Sequence, residues 1–205
     1  MKKLTALILA AMMIFAACAA LAGTVEYEIP EVGKLAGSTV HATVGAYHAE
    51  DNTFEVTVYG YDTFTPEAAA NATVGDTVLA GGVLHQIRGT EMAGDTLYYD
   101  CDGEQFCFDR LEDGTVIARS ADDDRIFMHV IAVLRLPAAA GIILEDNSDP
   151  DLDAQMKVIE GLDEILKVQA EKEAYSIGFD FYATTVTLNE ALEIVKIHQD
   201  FDVAQ

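Results

Sequence analysis

Basic residues are scarce in this chain, which carries 12 Lys and Arg against 35 Asp and Glu. The formal net charge is therefore −23 at pH 7. A surface of that sign repels the phosphates of nucleic acids and of anionic lipid headgroups, so we expect neither as a partner. The charge itself indicates solubility rather than a mechanism.

Sequence motifs of several familiar chemistries are also missing. No G-x-G-x-x-G or G-x-x-x-x-G-K-[ST] pattern is present to bind nucleotide phosphates. No serine lies in a G-x-S-x-G or S-x-x-K pattern, and the five histidines show neither H-x-x-x-H nor H-E-x-x-H spacing. These absences argue against nucleotide-dependent enzymes, serine hydrolases of known pattern and zinc proteases.

The N-terminus has the pattern of an export signal. Lys2 and Lys3 precede an uncharged apolar stretch, residues 4–15, and small residues follow as far as Gly23. The pattern predicts a signal peptide over residues 1–22, cut after the Ala20-Leu21-Ala22 site. The apolar stretch is too short for a good permanent span, so we expect no transmembrane span in the mature chain. The protein is predicted to be an exported bacterial protein, either secreted or on the cell surface.

A second processing route stays open beside simple secretion. Phe15-Ala16-Ala17-Cys18 resembles a bacterial lipobox, which would make Cys18 a diacylated N-terminus. Phe15 is a weak residue for the first lipobox position, and no polar tether follows Cys18. The two routes predict a freely secreted protein and a lipoprotein.

Cleavage before Gly23 leaves Cys101 and Cys107 as the only cysteines. A two-residue turn at Asp102-Gly103 would pair Cys101 with Glu104 and Cys107 with Tyr98, which places the sulfurs on opposite faces. A three-residue loop would instead set the cysteines opposite each other, where they could form a disulfide. Asp-Gly is the stronger turn signal, so the pattern favours two thiols.

The remaining residues, 23–205, show the pattern of one β-rich domain. Short alternating segments such as residues 39–47 and 53–60 are separated by turn residues, and Gly81-Gly82 is typical of a hairpin. The expected fold is mainly β, a small antiparallel β-barrel or sandwich, with an α+β fold as the alternative. Thr65 and Pro66 predict either a loop or one short helical turn.

The longest apolar run of the mature chain, residues 125–136, is expected to be its central strand. Its apolar residues fall at both parities, which is typical of a strand covered on both faces, and Pro137 is expected to end it. A buried helix is the alternative, because periodicity alone does not decide runs of this length.

One segment has helical spacing. Residues 151–172 are predicted to form an amphipathic helix before a C-terminal β-hairpin, since Leu152, Met156, Ile159, Leu162 and Ile165 recur at intervals of three and four. The hairpin is expected to turn at Asn189-Glu190. Acidic residues at the start of the segment suit the helix dipole.

A few short stretches resemble known proteins. They are Val74-Gly75-Asp76-Thr77-Val78 with Gly81-Gly82, residues 142–146, and Ser148-Asp149-Pro150. These stretches are similar to uncharacterised exported β-rich proteins and lipoproteins of gut-type Gram-positive bacteria, although the closing residues 201–205 depart from the ending of that group. The resemblance implies export and a β-rich fold, and it implies no catalytic residue.

Calcium is the candidate cofactor, and four acids are its candidate ligands: Asp146, Asp149, Asp151 and Asp153. Counted from Asp149, positions 1, 3, 5 and 12 are acidic, as in part of an EF-hand loop. Position 6 requires glycine for a sharp turn, and Ala154 stands there. The alternative is a solvated, acid-rich helix start.

These observations select no catalytic residue. They favour a non-enzymatic extracytoplasmic binding or structural module whose partner is an unidentified extracellular ligand or protein. Two alternatives stay open: a secreted hydrolase that uses two carboxylates, and a calcium-stabilised surface adhesion module.

Overall fold

The structure is a computed structural model that describes residues 24–25, 32–101, 103–122, 125–149, 155–174, 179 and 183–200. The predicted signal peptide, with Cys18, lies outside these ranges, and so do two of the predicted calcium ligands, Asp151 and Asp153.

Strands dominate the described ranges, which confirms the prediction of a mainly β fold. They are β1 (Thr24–Val25), β2 (Thr39–His48), β3 (Thr53–Tyr61), β4 (Thr63–Phe64), β5 (Thr77–Ala80), β6 (Val83–Ala93), β7 (Thr96–Cys101), β8 (Glu104–Arg110), β9 (Val116–Ser120), β10 (Met128–Asn147), β11 (Lys157–Glu160), β12 (Thr184–Leu188) and β13 (Ile194–Asp200). Two α-helices accompany them, α1 (Pro66–Asn71) and α2 (Leu162–Ala174), together with a short 3-10 helix (Val32–Leu35). Neither α-helix is long and apolar enough to cross a membrane.

The chain divides into two compact units, whereas the sequence pattern was interpreted as one integrated domain. The first unit comprises residues 1–29 and 61–129, and the second comprises residues 30–60 and 130–205. The chain passes from one unit to the other at the end of β3 and near the start of β10, where no linker composition marks the change.

The first unit is a seven-stranded sheet in the order β1-β5-β6-β7-β8-β9-β4. Strands β5 to β9 follow one another as an antiparallel meander, and Gly81 and Gly82 form the β5–β6 turn with φ of +60° and +76°. Helix α1 begins after Thr65, whose side chain accepts a hydrogen bond from the N–H of Ala68. Of the two alternatives predicted there, a loop or a short helical turn, the helical turn is the one present.

The register of the β7–β8 hairpin is the one that Asp102-Gly103 favours. Cys101 lies opposite Glu104, and Cys107 lies opposite Tyr98. Because side chains alternate along a strand, the two sulfurs lie on opposite faces of the sheet. Both cysteines are buried and form no disulfide with each other.

The second unit contains a six-stranded sheet in the order β11-β10-β13-β12-β2-β3, and β10 additionally pairs with β3. Strands β12 and β13 form the C-terminal hairpin, whose turn is longer than predicted and includes Leu192 at a φ of +61°. The interior of the curled sheet is apolar over most of its length, with Phe54, Val56 and Val58 of β3 fully buried.

Two predictions about the central run need correction. It is a strand from Met128 onward, but Val130 and Val133, which lie on opposite faces, are 42% and 58% exposed, so neither face is covered along its whole length. Pro137 does not end the strand, because β10 continues to Asn147. A register irregularity between Ala138 and Ile143 follows the proline, and prolines are tolerated beside such irregularities.

The helix predicted over residues 151–172 is also shorter than expected. Lys157–Glu160 is strand β11, which pairs with the end of β10, and α2 starts only at Leu162. Val158 and Ile159 are β-branched and favour a strand, and Gly161, at a φ of +88°, separates the strand from the helix.

Candidate functional site

The interior of the second unit changes from apolar to polar at one register of its sheet. Strands β10, β13 and β12 place Leu144, Ile197 and Val186 side by side, each fully buried. Two residues further on, at the same inward parity, the three strands carry polar side chains instead. We call these three residues, Asp146, Gln199 and Thr184, the polar row.

The middle and far members of the polar row are inaccessible to solvent. Thr184 is 0% exposed and Gln199 is 2% exposed. The hydroxyl oxygen of Thr184 has no hydrogen-bond partner among the described residues. Buried polar groups are nearly always hydrogen-bonded, because an unsatisfied one costs about 1–3 kcal/mol of stability. This hydroxyl therefore has an unmet capacity for hydrogen bonding.

The first member of the row, Asp146, belongs to a compact charged cluster. Its Oδ1 accepts hydrogen bonds from the Ser148 hydroxyl at 2.6 Å, the Ser148 N–H at 3.1 Å and Lys172 Nζ at 3.2 Å. Lys172 Nζ also donates to the Ser148 hydroxyl oxygen at 2.5 Å. The side chains of Asp146 and Lys172 are only 13% and 12% exposed, so their attraction is screened much less than that of a surface pair.

Burial acts to raise the pKa of Asp146, but other contacts outweigh it. The hydrogen bonds from Ser148 and the positive charge of Lys172 hold the pKa of this carboxyl below its ordinary value of 3.8. Asp146 is therefore a carboxylate at neutral pH. A carboxylate of lowered pKa is a poor proton acceptor, so the cluster does not activate the Ser148 hydroxyl as a nucleophile.

Helix α2 supplies the basic member of this cluster and one further polar contact. Gln169 and Lys172 are three residues apart and share one face of the helix. The buried amide of Gln169 donates to the carbonyl oxygen of Gly45 at 2.8 Å, where β2 has a register irregularity. Ile165, one turn before Gln169, is fully buried in the apolar core.

Of the four predicted calcium ligands, the structure describes Asp146 and Asp149, and each of them contacts a lysine. Lys172 Nζ lies 3.2 Å from Asp146 Oδ1. On the surface, Lys157 Nζ lies 3.7 Å from Asp149 Oδ2. Across the described ranges, no group of three or more His, Cys, Asp or Glu side chains is arranged to hold a metal ion. The calcium site stays a prediction, because Asp151 and Asp153 lie outside the described ranges.

A second charged cluster lies on the outward face of the same sheet. His198 Nδ1 lies 3.1 Å from Glu145 Oε2, and His198 Nε2 lies 3.1 Å from Asp200 Oδ2. Lys196 Nζ also contacts Glu145, at 3.0 Å. The two carboxylates stand on opposite sides of the imidazole and do not converge on one point. A hydrolase that uses two facing carboxylates therefore gains no support from this cluster.

Sequence reasoning found one residue of the polar row and missed the rest. Asp146 was proposed as a metal ligand, whereas Thr184, Gln199 and Lys172 carried no signal of their own. Only Gln199 could have been noticed from the sequence. It lies two residues after Ile197 in β13 and therefore on the same, buried face of the strand. A polar residue at a core position of a strand indicates a buried hydrogen-bonding site.

No protein-family model, curated protein or solved structure matches this chain.

Proposed function

We propose that this protein is an exported, non-enzymatic binding module that holds a small polar ligand at the polar row. The observation that carries the proposal is the buried Thr184 hydroxyl, which lacks a partner among the described residues while standing in line with Gln199 and Asp146. Ligand sites typically combine apolar walls with a few polar groups, and the row adjoins the apolar core of the second unit in that way.

The charged cluster supports binding rather than catalysis. Ser148 donates to a carboxylate of lowered pKa and accepts from an ammonium group, so none of its neighbours in the cluster is poised to remove its proton. Such an arrangement fixes side chains in place, which favours a preorganised binding site.

Export is part of the proposal and rests on the N-terminal sequence. Mass spectrometry of the protein recovered from the producing cell tests it directly. A mature chain that begins at Gly23 supports secretion, and a chain that begins at diacylated Cys18 supports a surface lipoprotein. An intact Met1 on the functional protein would contradict export.

The binding test compares Thr184→Val with Thr185→Val. The two variants carry the same isosteric change on neighbouring residues of β12, which face opposite sides of the sheet. Both are screened for thermal stabilisation by a library of small polar compounds. We expect at least one compound to raise the melting temperature of the wild type and of Thr185→Val, and to act weakly on Thr184→Val.

The stability of Thr184→Val without ligand is a control for the binding test. Without ligand, Thr184→Val should be at least as stable as the wild type, because valine removes a buried hydroxyl that lacks a partner. A library that stabilises none of the three proteins would overturn the proposal of a binding function.

A further inference from the structure

The geometry points to a zwitterion of the amino-acid type as the ligand of the polar row, bound against the ion pair that Asp146 and Lys172 form. This inference rests on the proposed binding function and names its ligand class. The ammonium group of the ligand donates to Asp146 Oδ2, and its carboxylate accepts from Lys172 Nζ.

The first argument is which atoms are still available in the cluster. The three hydrogen bonds that Asp146 accepts all fall on Oδ1, and Oδ2 accepts none from the described residues. Lys172 Nζ carries three protons and donates two hydrogen bonds to described residues, one to Asp146 and one to Ser148. An acceptor and a donor of opposite charge therefore stand side by side.

The second argument is charge balance. Asp146 and Lys172 neutralise each other where both are almost nine-tenths buried. A ligand with a single charge would leave one charge uncompensated after it enters, which is costly where the dielectric constant is low. A zwitterion brings one charge of each sign and leaves the cluster neutral.

The third argument is size and polarity. Neighbouring strands lie about 4.7–4.9 Å apart, so the row from Asp146 through Gln199 to Thr184 spans about 10 Å. A ligand that contacts both Asp146 and Thr184 would have to be about that long, so the row sets an upper limit on ligand size. Gln199 and Thr184 present an uncharged amide and a hydroxyl, which suit a short neutral polar side group rather than a second charged one.

The test uses L-serine and L-glutamine, each compared with its N-acetylated and its C-amidated form. N-acetylation removes the ammonium charge, and amidation removes the carboxylate charge. At about 100 times its dissociation constant, a binding amino acid should raise the melting temperature by about 5–10 °C. We expect a shift of that size from a free amino acid and none from either of its blocked forms.

Variants then locate the effect. Lys172→Gln should weaken binding of the stabilising amino acid at least tenfold, as measured by calorimetry, and Lys157→Gln should leave it unchanged. Lys157 is the matched control because it pairs with Asp149 on the surface. If Lys172→Gln does not fold, the comparison of free and blocked amino acids still decides the question, because it needs only the wild type.

Three outcomes would overturn the inference, and they differ in whether the proposed binding function survives. Equal stabilisation by free and blocked forms, or stabilisation only by other polar compounds, refutes the zwitterion and keeps the binding function. Absence of stabilisation by every compound, amino acids included, refutes both.

Discussion

Asp62 and His129 form a buried pair in the first unit, with Asp62 Oδ1 lying 2.5 Å from His129 Nδ1. The two side chains are 0% and 2% exposed. The other carboxylate oxygen of Asp62 accepts a hydrogen bond from the N–H of Gly81, in the β5–β6 turn. One buried carboxylate thus connects His129 with the hairpin turn within the first unit.

Removal of Asp62 should therefore be severely destabilising. We expect Asp62→Ala to lower the free energy of unfolding by about 3–5 kcal/mol, because it leaves a buried imidazole and a turn N–H without their acceptor. Urea denaturation measures the change. Asp149→Ala, at an exposed ion pair, should cost no more than about 1 kcal/mol.

A double-mutant cycle with Asp62→Ala and His129→Ala isolates the interaction free energy between these two side chains from their other contacts. The coupling free energy between the two positions should exceed about 0.5 kcal/mol, since the side chains are in direct contact. Additive effects of the two substitutions would show that the contact contributes nothing of its own.

Glu145 should make stability depend on acidity. A hydrogen bond from Lys196, and a weaker one from His198, hold the pKa of Glu145 below its ordinary value of 4.5, although partial burial acts to raise it. Because the folded pKa is the lower one, the contribution is complete above about pH 4.5 and is lost as the pH falls through the folded pKa.

Melting temperatures of the wild type and Glu145→Gln between about pH 5.5 and about pH 3 test this expectation. The variant should melt lower at the upper end, and the difference should shrink towards the lower end. In a Lys196→Gln background the pH dependence should be weaker, since that substitution removes the main donor. A difference that stays constant over this interval would contradict the assignment.

Thr65 should contribute to the stability of α1. Its hydroxyl oxygen accepts a hydrogen bond from the N–H of Ala68 at 3.1 Å, and Pro66 follows in the first helical position. Thr65→Ala is expected to lower the free energy of unfolding by about 1 kcal/mol. Thr65→Ser keeps the hydroxyl and should therefore keep most of the wild-type stability. Urea denaturation of the two variants checks this, and equal losses would assign the effect to packing of the methyl group.

Cys101 and Cys107 should behave as two protected thiols. Their exposures are 1% and 0%, so an alkylating reagent should reach neither in the native protein. In denaturant without a reducing agent, both cysteines should be alkylated, and peptide mapping identifies them. Recovery of a Cys101–Cys107 cross-linked peptide would refute the register of this hairpin.

The parts of the fold that sequence reasoning predicted depend on local chemistry. Gly81-Gly82 specifies a tight hairpin, and Thr65-Pro66 specifies a helix start, because each acts through its own backbone. The alternation of residues 53–60 likewise predicts Phe54, Val56 and Val58 on the inward face, and all three are fully buried.

The errors arise where an irregularity changes the parity of a strand. The alternation of residues 39–47 predicts Ala42, Val44 and Ala46 on the inward face, yet Ala46 is exposed and Tyr47 packs against the core. A register shift between Val44 and Tyr47 reverses the faces beyond it. Nothing in the local alternation announces such a shift.

The polar row was unpredictable for a different reason. Asp146, Gln199 and Thr184 become neighbours only through the pairing of β10 with β13 and of β13 with β12. The parallel pairing of β10 with β13 connects segments about 50 residues apart, and no turn residue encodes it. The ion pair between Asp146 and Lys172 likewise depends on where α2 packs against the sheet. The helical spacing of its residues does not determine that position.

The pairing of β2 with β12 has a consequence for how the chain folds. Thr39 and Thr187 share a hydrogen bond although 148 positions separate them in sequence. Contacts of such long range slow folding, because the loop between them must close before the contact stabilises anything. The β5–β9 meander, made of successive hairpins, is therefore expected to form early. The six-stranded sheet should be completed last. Its pairing of β2 with β12 cannot form before β12, one of the last strands of the chain, has been synthesised.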